Sequence, residues 1–203
     1  MFLQAIILKK KWYNYLQVKC SCPIGLYRYK LGDVVEVVGF YKNTPKLNFI
    51  HRRNLLLCVA SEKTTEESLN IVVERGSEVL ISRAADAELV DFTSHANVTD
   101  QPGHYEIYWE IKGDGIEDST LQECCTEMDA MFPYRLLRTS GDIGPLELCI
   151  VERGTFVKIF DYFVENGGTV NQFKTPKCTN NQGVLKILMA CTVNRFRSTA
   201  YNG

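Results

Sequence analysis

The period of hydrophobic and polar positions changes several times along the chain. The runs VVEVVGFY (Val34 to Tyr41) and LNFI (Leu47 to Ile50) flank the turn-forming Lys42-Asn43-Thr44-Pro45, a pattern that predicts a small antiparallel hairpin. Asn54 to Ala60 is apolar enough for a buried strand, and the charged pair Arg52-Arg53 before it marks a junction between units. Thr64 with Glu67 forms a capping box, and Leu69, Val72, Val73 and Leu80 fall on one face, predicting a helix over 65–83 with Gly76 as its weak point. His104 to Ile111 alternates, with Tyr105, Ile107, Trp109 and Ile111 on one face and His104, Glu106, Tyr108 and Glu110 on the other, which predicts a half-buried strand.

A second capping box, Ser119 with Gln122, precedes Leu121, Cys124, Cys125, Met128 and Phe132 at helical spacing. Leu146 to Val151 reads as a strand. Phe156, Ile159, Phe160, Phe163 and Val164 outline a third helix stopped by Asn166-Gly167-Gly168. Strands and helices mix without strict alternation, so the expected class is α+β: a small antiparallel β unit, then a largely antiparallel sheet with helices packed on one face. Met1 to Cys20 has no clean period and reads as an altered start or a strand with a basic turn, and no internal repeat is visible.

Composition narrows the function. At 203 residues the chain suits one good domain or two small ones. Its 23 Lys and Arg balance 24 Asp and Glu, so broad electrostatic binding to nucleic acid or anionic lipid is not expected. The 45% hydrophobic content supports a folded core. None of the eight cysteines forms a CxxC or paired Cys/His set, so no metal site is expected; most read as reduced core residues of a cytoplasmic protein rather than a disulfide framework. Met1 to Leu8 is too short to span a membrane, and Lys9 to Lys11 after it reverse the charge order of a secretion signal.

Few residues suggest chemistry by themselves. Asp33 after Gly32 could accept two hydrogen bonds from the vicinal hydroxyls of a ribose at a strand end, or Gly32-Asp33 could be only a turn. Tyr27 and Tyr29 could shape a nucleotide pocket or simply pack. Lys63, beside Glu62, reads alone as a solvated lysine. Lys158 is expected on the outer face of the third helix, and His104, on a polar strand face, to meet solvent or a hydrogen bond.

The wider context decides between these readings. GLYRYKLGD (Gly25 to Asp33), FIHRRN (Phe49 to Asn54), SEKTTEESL (Ser61 to Leu69), TDQPGHYEIYWEI (Thr99 to Ile111), GPLEL (Gly144 to Leu148), GTFVKI (Gly154 to Ile159) and NQFKTPKC (Asn171 to Cys178) occur in one order. Together they resemble the plant acyl-acid-amido synthetases, the Gretchen Hagen three family of adenylate-forming enzymes, over about residues 25–201. The closing RFRSTAY (Arg195 to Tyr201) looks more like the jasmonate-conjugating branch than the auxin-conjugating one.

The resemblance implies an ATP-dependent ligase, with Mg2+ accompanying the ATP. It would join an acyl acid such as jasmonate or indole-acetate to an amino acid through an acyl adenylate. Asp33 would hold the ribose, Tyr29 and Arg53 would lie at the nucleotide, and Lys63, after a hinge at Arg52 and Arg53, would contact phosphate as the catalytic residue. On that pattern 1–24 lacks a family counterpart, 25–60 is the end of a large adenylation domain with the hinge, and 61–203 is the C-terminal domain. The chain departs from the family in having no Gly-rich phosphate loop and in placing Gly183 where a Lys or Arg usually precedes the pair Val184-Leu185; Lys186, in an expected strand, would point elsewhere. A truncated synthetase, inactive alone, is therefore expected. The alternative is a non-catalytic module that binds full-length family members; an RNA-binding domain lacks its basic-aromatic signature.

Overall fold

A computed structural model describes residues 15–20, 29–52 and 57–201. The chain divides into two compact units, one ending at Leu56 and the other beginning at Leu57.

The first unit holds an antiparallel sheet of strands β1 (Tyr15–Cys20), β2 (Tyr29–Tyr41) and β3 (Thr44–Arg52) in the order β1-β2-β3. The hairpin turn is tighter than the sequence suggests. Tyr41 pairs with Thr44, so Lys42 and Asn43 make the whole connection, with Lys42 in the left-handed region at φ 54°. Pro45 therefore lies inside β3, where an edge strand tolerates its missing N–H. Gly32 and Asp33 lie well inside β2, at neither a turn nor a strand end. Of the expected strand over 54–60, residues 54–56 lie outside the described residues, and from Leu57 to Ala60 the chain makes only an isolated bridge and a bend.

The second unit runs α1 (Glu66–Arg83), β4 (Glu88–Asn97), β5 (His104–Lys112), α2 (Asp118–Met131), α3 (Arg135–Ser140), β6 (Glu147–Val151), α4 (Thr155–Glu165), α5 (Gln182–Cys191) and β7 (Thr192–Arg197). Its four strands lie in sequence order, antiparallel except for the parallel β5–β6 pair, whose crossover contains α2 and α3. The α+β class holds.

The helices, however, cover both faces of this sheet. On the first face Leu69, Val72, Val73 and Leu80 of α1 and Leu121, Cys124, Cys125 and Met128 of α2 join Tyr105, Ile107, Trp109 and Ile111 in one core. On the second, Phe156 and Ile159 of α4 and Val184, Leu185 and Leu188 of α5 close over Tyr108, Cys149 and Val151. Each such fully buried apolar side chain contributes about 1.5–3 kcal/mol. A strand covered on both sides cannot be half-buried, and every residue from His104 to Ile111 is buried.

The buried carboxylates of this sheet have partners, whereas His104 Nε2 and Trp109 Nε1 on β5 are buried without a hydrogen bond. Glu110 accepts from the amides of Gly154 (2.7 Å) and Phe156 (2.9 Å), capping the start of α4 with a carboxylate that also suits the helix dipole. Glu106 accepts from Tyr108 Oη (2.6 Å) and Asn97 Nδ2 (2.9 Å). Glu147 of β6 receives Arg195 and Arg197 of β7.

The helix starts also differ from the capping boxes. Thr65, not Thr64, caps α1 by accepting from the Ser68 amide at 3.2 Å, while Thr64 is buried in a bridge to Leu57. At α2 the cap position is Glu117, without a side-chain cap bond, and Gln122 instead donates to the Arg197 carbonyl at 2.7 Å. Among the described residues no helix is long and apolar enough to cross a membrane.

Candidate functional site

The residues singled out by sequence fall in both units. Tyr29 and Asp33 lie on β2, and Asp33 stands opposite Arg52 in the β2–β3 register. β2 is the central strand of its sheet, but Asp33 has a register partner only on β3; the β1–β2 register is interrupted between Lys30 and Val34. Arg53, Tyr27 and Arg28 lie outside the described residues.

Lys63 belongs to the second unit and is exposed, in the loop that leads from Leu57 into α1. That loop is closed by a reciprocal backbone pair, Leu57 N to Thr64 O at 3.1 Å and Thr64 N to Leu57 O at 3.0 Å. Inside it, the Glu62 carboxylate accepts from the amides of Val59 and Ala60, the latter at 3.0 Å. From outside, the hydroxyl of Tyr105 on β5 lies 2.8 Å from Glu62 Oε1, 3.2 Å from Leu57 O and 3.1 Å from Thr64 Oγ1. Its single proton is best spent on the carboxylate, with Thr64 donating to the phenol oxygen. The Tyr105 ring is fully buried and packs edge-on against Phe132 and Tyr134, at centroid distances of 5.3 and 5.4 Å.

The electrostatics follow. Burial pushes the Glu62 carboxyl up, but the hydrogen bonds from Val59, Tyr105 and Ala60 outweigh it and hold the group below the usual carboxylate range. Burial also pushes the Tyr105 phenol up, and there it prevails: the bond from Thr64 lowers the group, the bond to Glu62 raises it further, and it stays well above its ordinary value. Both stay in the forms the geometry needs at neutral pH. Chemically, the arrangement presents an exposed ammonium on a fixed backbone, suited to an anion. Neither Glu62 nor Tyr105 stood out in the sequence, where Glu62 reads as a solvent partner for Lys63 and Tyr105 as an ordinary core aromatic.

The other residues resolve differently. His104 is buried, not solvated; its Nε2 is 3.7 Å from Glu106 Oε1 and 3.8 Å from Glu147 Oε2. Lys158 lies exposed on α4 with Glu152 at 3.5 Å, as the helical pattern indicates. Gly183 sits in the first turn of a helix, not in a strand, and an added Cβ would overlap the Tyr162 hydroxyl. Lys186 is exposed one turn further along the same helix, so the two positions share a side rather than pointing apart. Among the described residues no group of His, Cys, Asp or Glu is arranged to hold a metal, and Cys58, Cys124, Cys125, Cys149, Cys178 and Cys191 are free thiols.

Residues 67–183 match the GH3 family C-terminal domain, and residues 13–52 match the GH3 family central domain. The indole-3-acetic acid-amido synthetase GH3.10 of Arabidopsis thaliana is 55% identical over 181 residues, 88% of this chain and 30% of that protein. The jasmonoyl-L-amino acid synthetase JAR6 of Nicotiana attenuata is 48% identical over 182 residues, 87% of this chain and 31% of that one. The solved GH3.15 acyl acid amido synthetase aligns with a TM-score of 0.75 at 34% identity, over 92% of this chain and 35% of its own. This chain thus spans about a third of the length of the relatives it matches, and by sequence and fold together it belongs to the GH3 family.

Proposed function

We propose that this chain carries the C-terminal portion of an ATP-dependent acid-amido synthetase, retains contacts to the nucleotide, and does not form the amide by itself. The observation that carries this reading is the GH3 match, with synthetases named for indole-3-acetic acid and for jasmonate among the relatives. In the reaction we assign to the whole enzyme, the acid's carboxylate attacks the α-phosphorus of ATP. The products are an acyl adenylate and pyrophosphate. The amine of an amino acid then attacks the acyl carbon, AMP leaves, and the amide forms with loss of a proton. Asp33 accepts the ribose hydroxyls, Tyr29 and Arg53 flank the nucleotide, and Lys63 meets the phosphate. Mg2+ enters with the ATP. The free thiols support a reducing cytoplasmic setting.

Titration of the purified chain with MgATP tests the nucleotide assignment. Binding is expected, weakened by Asp33→Ala and by Lys63→Ala; equal affinity in all three would remove it. Mass spectrometry after incubation with ATP, an amino acid and either acid tests the second part. Any acyl adenylate or amide formed by the chain would overturn its inactivity.

One observation favours a second role as a binding module for full-length family members. On the first unit's hairpin, Val38, Phe40 and Phe49 are 59%, 65% and 58% exposed, a density of uncovered apolar side chains that suits a protein partner. Co-purification with a full-length synthetase, lost in Phe40→Ser/Phe49→Ser, would support it; a monomer that captures none would count against it.

A further inference from the structure

We propose that Tyr105 and Glu62 are positioning residues that hold Lys63 ready for a phosphate group. This rests on the reading that Lys63 contacts the nucleotide. The residues on either side of Lys63 are both held in place. Its predecessor, Glu62, is tied to two amides and to Tyr105; its successor, Thr64, is tied to Leu57 through two backbone bonds and to Tyr105 through its hydroxyl. The Lys63 backbone is thus fixed on both sides while its side chain is exposed.

The same bonds settle a competition of charges. An adjacent Glu62 is the natural partner for the Lys63 ammonium, and such a pair would have to be broken before the lysine could meet an anion. Here both carboxylate oxygens are turned inward to the amides and Tyr105. Among the described residues, no carboxylate lies within ion-pair distance of Lys63. Tyr105 therefore does two things at once: it fixes the backbone, so that little ordering remains when an anion binds, and it keeps the lysine's own neighbour from neutralising it.

Tyr105 is set by the core rather than by the loop. Its ring is held by Phe132 and Tyr134, so Tyr105→Phe keeps the packing and deletes only the hydroxyl. Glu62→Gln, in the loop itself, keeps the size and removes the charge, and serves should the core variant fail to fold.

The test uses the whole chain, with amide hydrogen exchange at Val59 and Ala60 and calorimetric MgATP binding measured in parallel. Tyr105→Phe and Glu62→Gln should each speed exchange at those two amides by roughly tenfold or more, the loss of a hydrogen bond to a charged group. Each should also weaken MgATP several-fold in the parent chain and have no further effect once Lys63→Ala is present. Unchanged exchange overturns the clamp, as does an equal loss of affinity with and without Lys63. If Lys63→Ala leaves MgATP binding intact, the phosphate assignment fails separately, and the positioning role fails with it even where exchange responds.

Discussion

Gly76 separates two physical accounts of the long helix. A glycine inside a helix costs about 1 kcal/mol relative to alanine, so on propensity alone Gly76→Ala should stabilise the protein by that amount. In the fold, Gly76 is buried where α1 crosses α2 and β5. An added Cβ would lie 2.8 Å from Met128 Cγ and Sδ and 2.9 Å from Trp109 Cη2, inside van der Waals contact. Met128 can change rotamer; Trp109, fully buried, cannot withdraw without moving its neighbours. Overpacking of this kind costs roughly 1–3 kcal/mol, which exceeds the propensity gain over most of its range. Gly76→Ala should therefore lower stability by about 1 kcal/mol, and Gly76→Val by more. For a domain of this size that is a fall of about 2–4 °C in Tm per kcal/mol. Thermal and urea unfolding, followed by circular dichroism and by tryptophan fluorescence, measure it. A Gly76→Ala protein more stable than the parent would show that the helix packs loosely here and that propensity decides.

Three further outcomes are expected. Asp129 is fully buried and receives Tyr134 Oη at 2.6 Å and Arg138 Nη2 at 3.1 Å, while Arg138 also donates to the Ala200 carbonyl, so Asp129→Ala should cost about 3–5 kcal/mol in urea unfolding and loosen the C-terminal segment; a loss below about 1 kcal/mol would remove the pair from any structural role. Burial raises the Glu147 carboxyl, but Arg195 and Arg197 lower it further, below its ordinary value of about 4.5. The unfolded chain then takes up the proton first, so this contribution is complete above that value and lost as pH falls through the folded one. Between neutral pH and pH ~3 the parent should lose more stability than Glu147→Gln; parallel curves would refute this. Finally, Gly183→Lys should be destabilising by about 1–3 kcal/mol because its Cβ overlaps Tyr162, and Tyr162→Ala should restore part of the loss; a neutral Gly183→Lys would mean that the aromatic ring moves freely.

Elements whose signals are local could be read directly from the order of residues. Alternation marked β5, three-to-four spacing marked α1, α2 and α4, and a turn-forming run marked the β2–β3 hairpin. Seven ordered motifs pointed to the family, and the apolar helical face that carries Cys124 and Cys125 marked them as core residues. Tertiary structure decided what depends on distant partners. The polar side of β5 is covered because α4 and α5 return from far along the chain, with Glu110 consumed by the start of α4 and Glu106 by Asn97 and Tyr108. Gly76 became a packing site because Trp109 and Met128 fill its space. Cap positions moved by a residue where Thr64 was drawn into the bridge to Leu57. At the candidate site the motif raises Lys63 only as an expectation, and the bonds around it could not be read from the sequence: Tyr105 and Glu62 are 43 residues apart, and only the β5 sheet position brings the phenol to the carboxylate. Local periodicity records which face of an element is apolar; which polar groups become each other's partners is set by the pairing of segments remote in sequence.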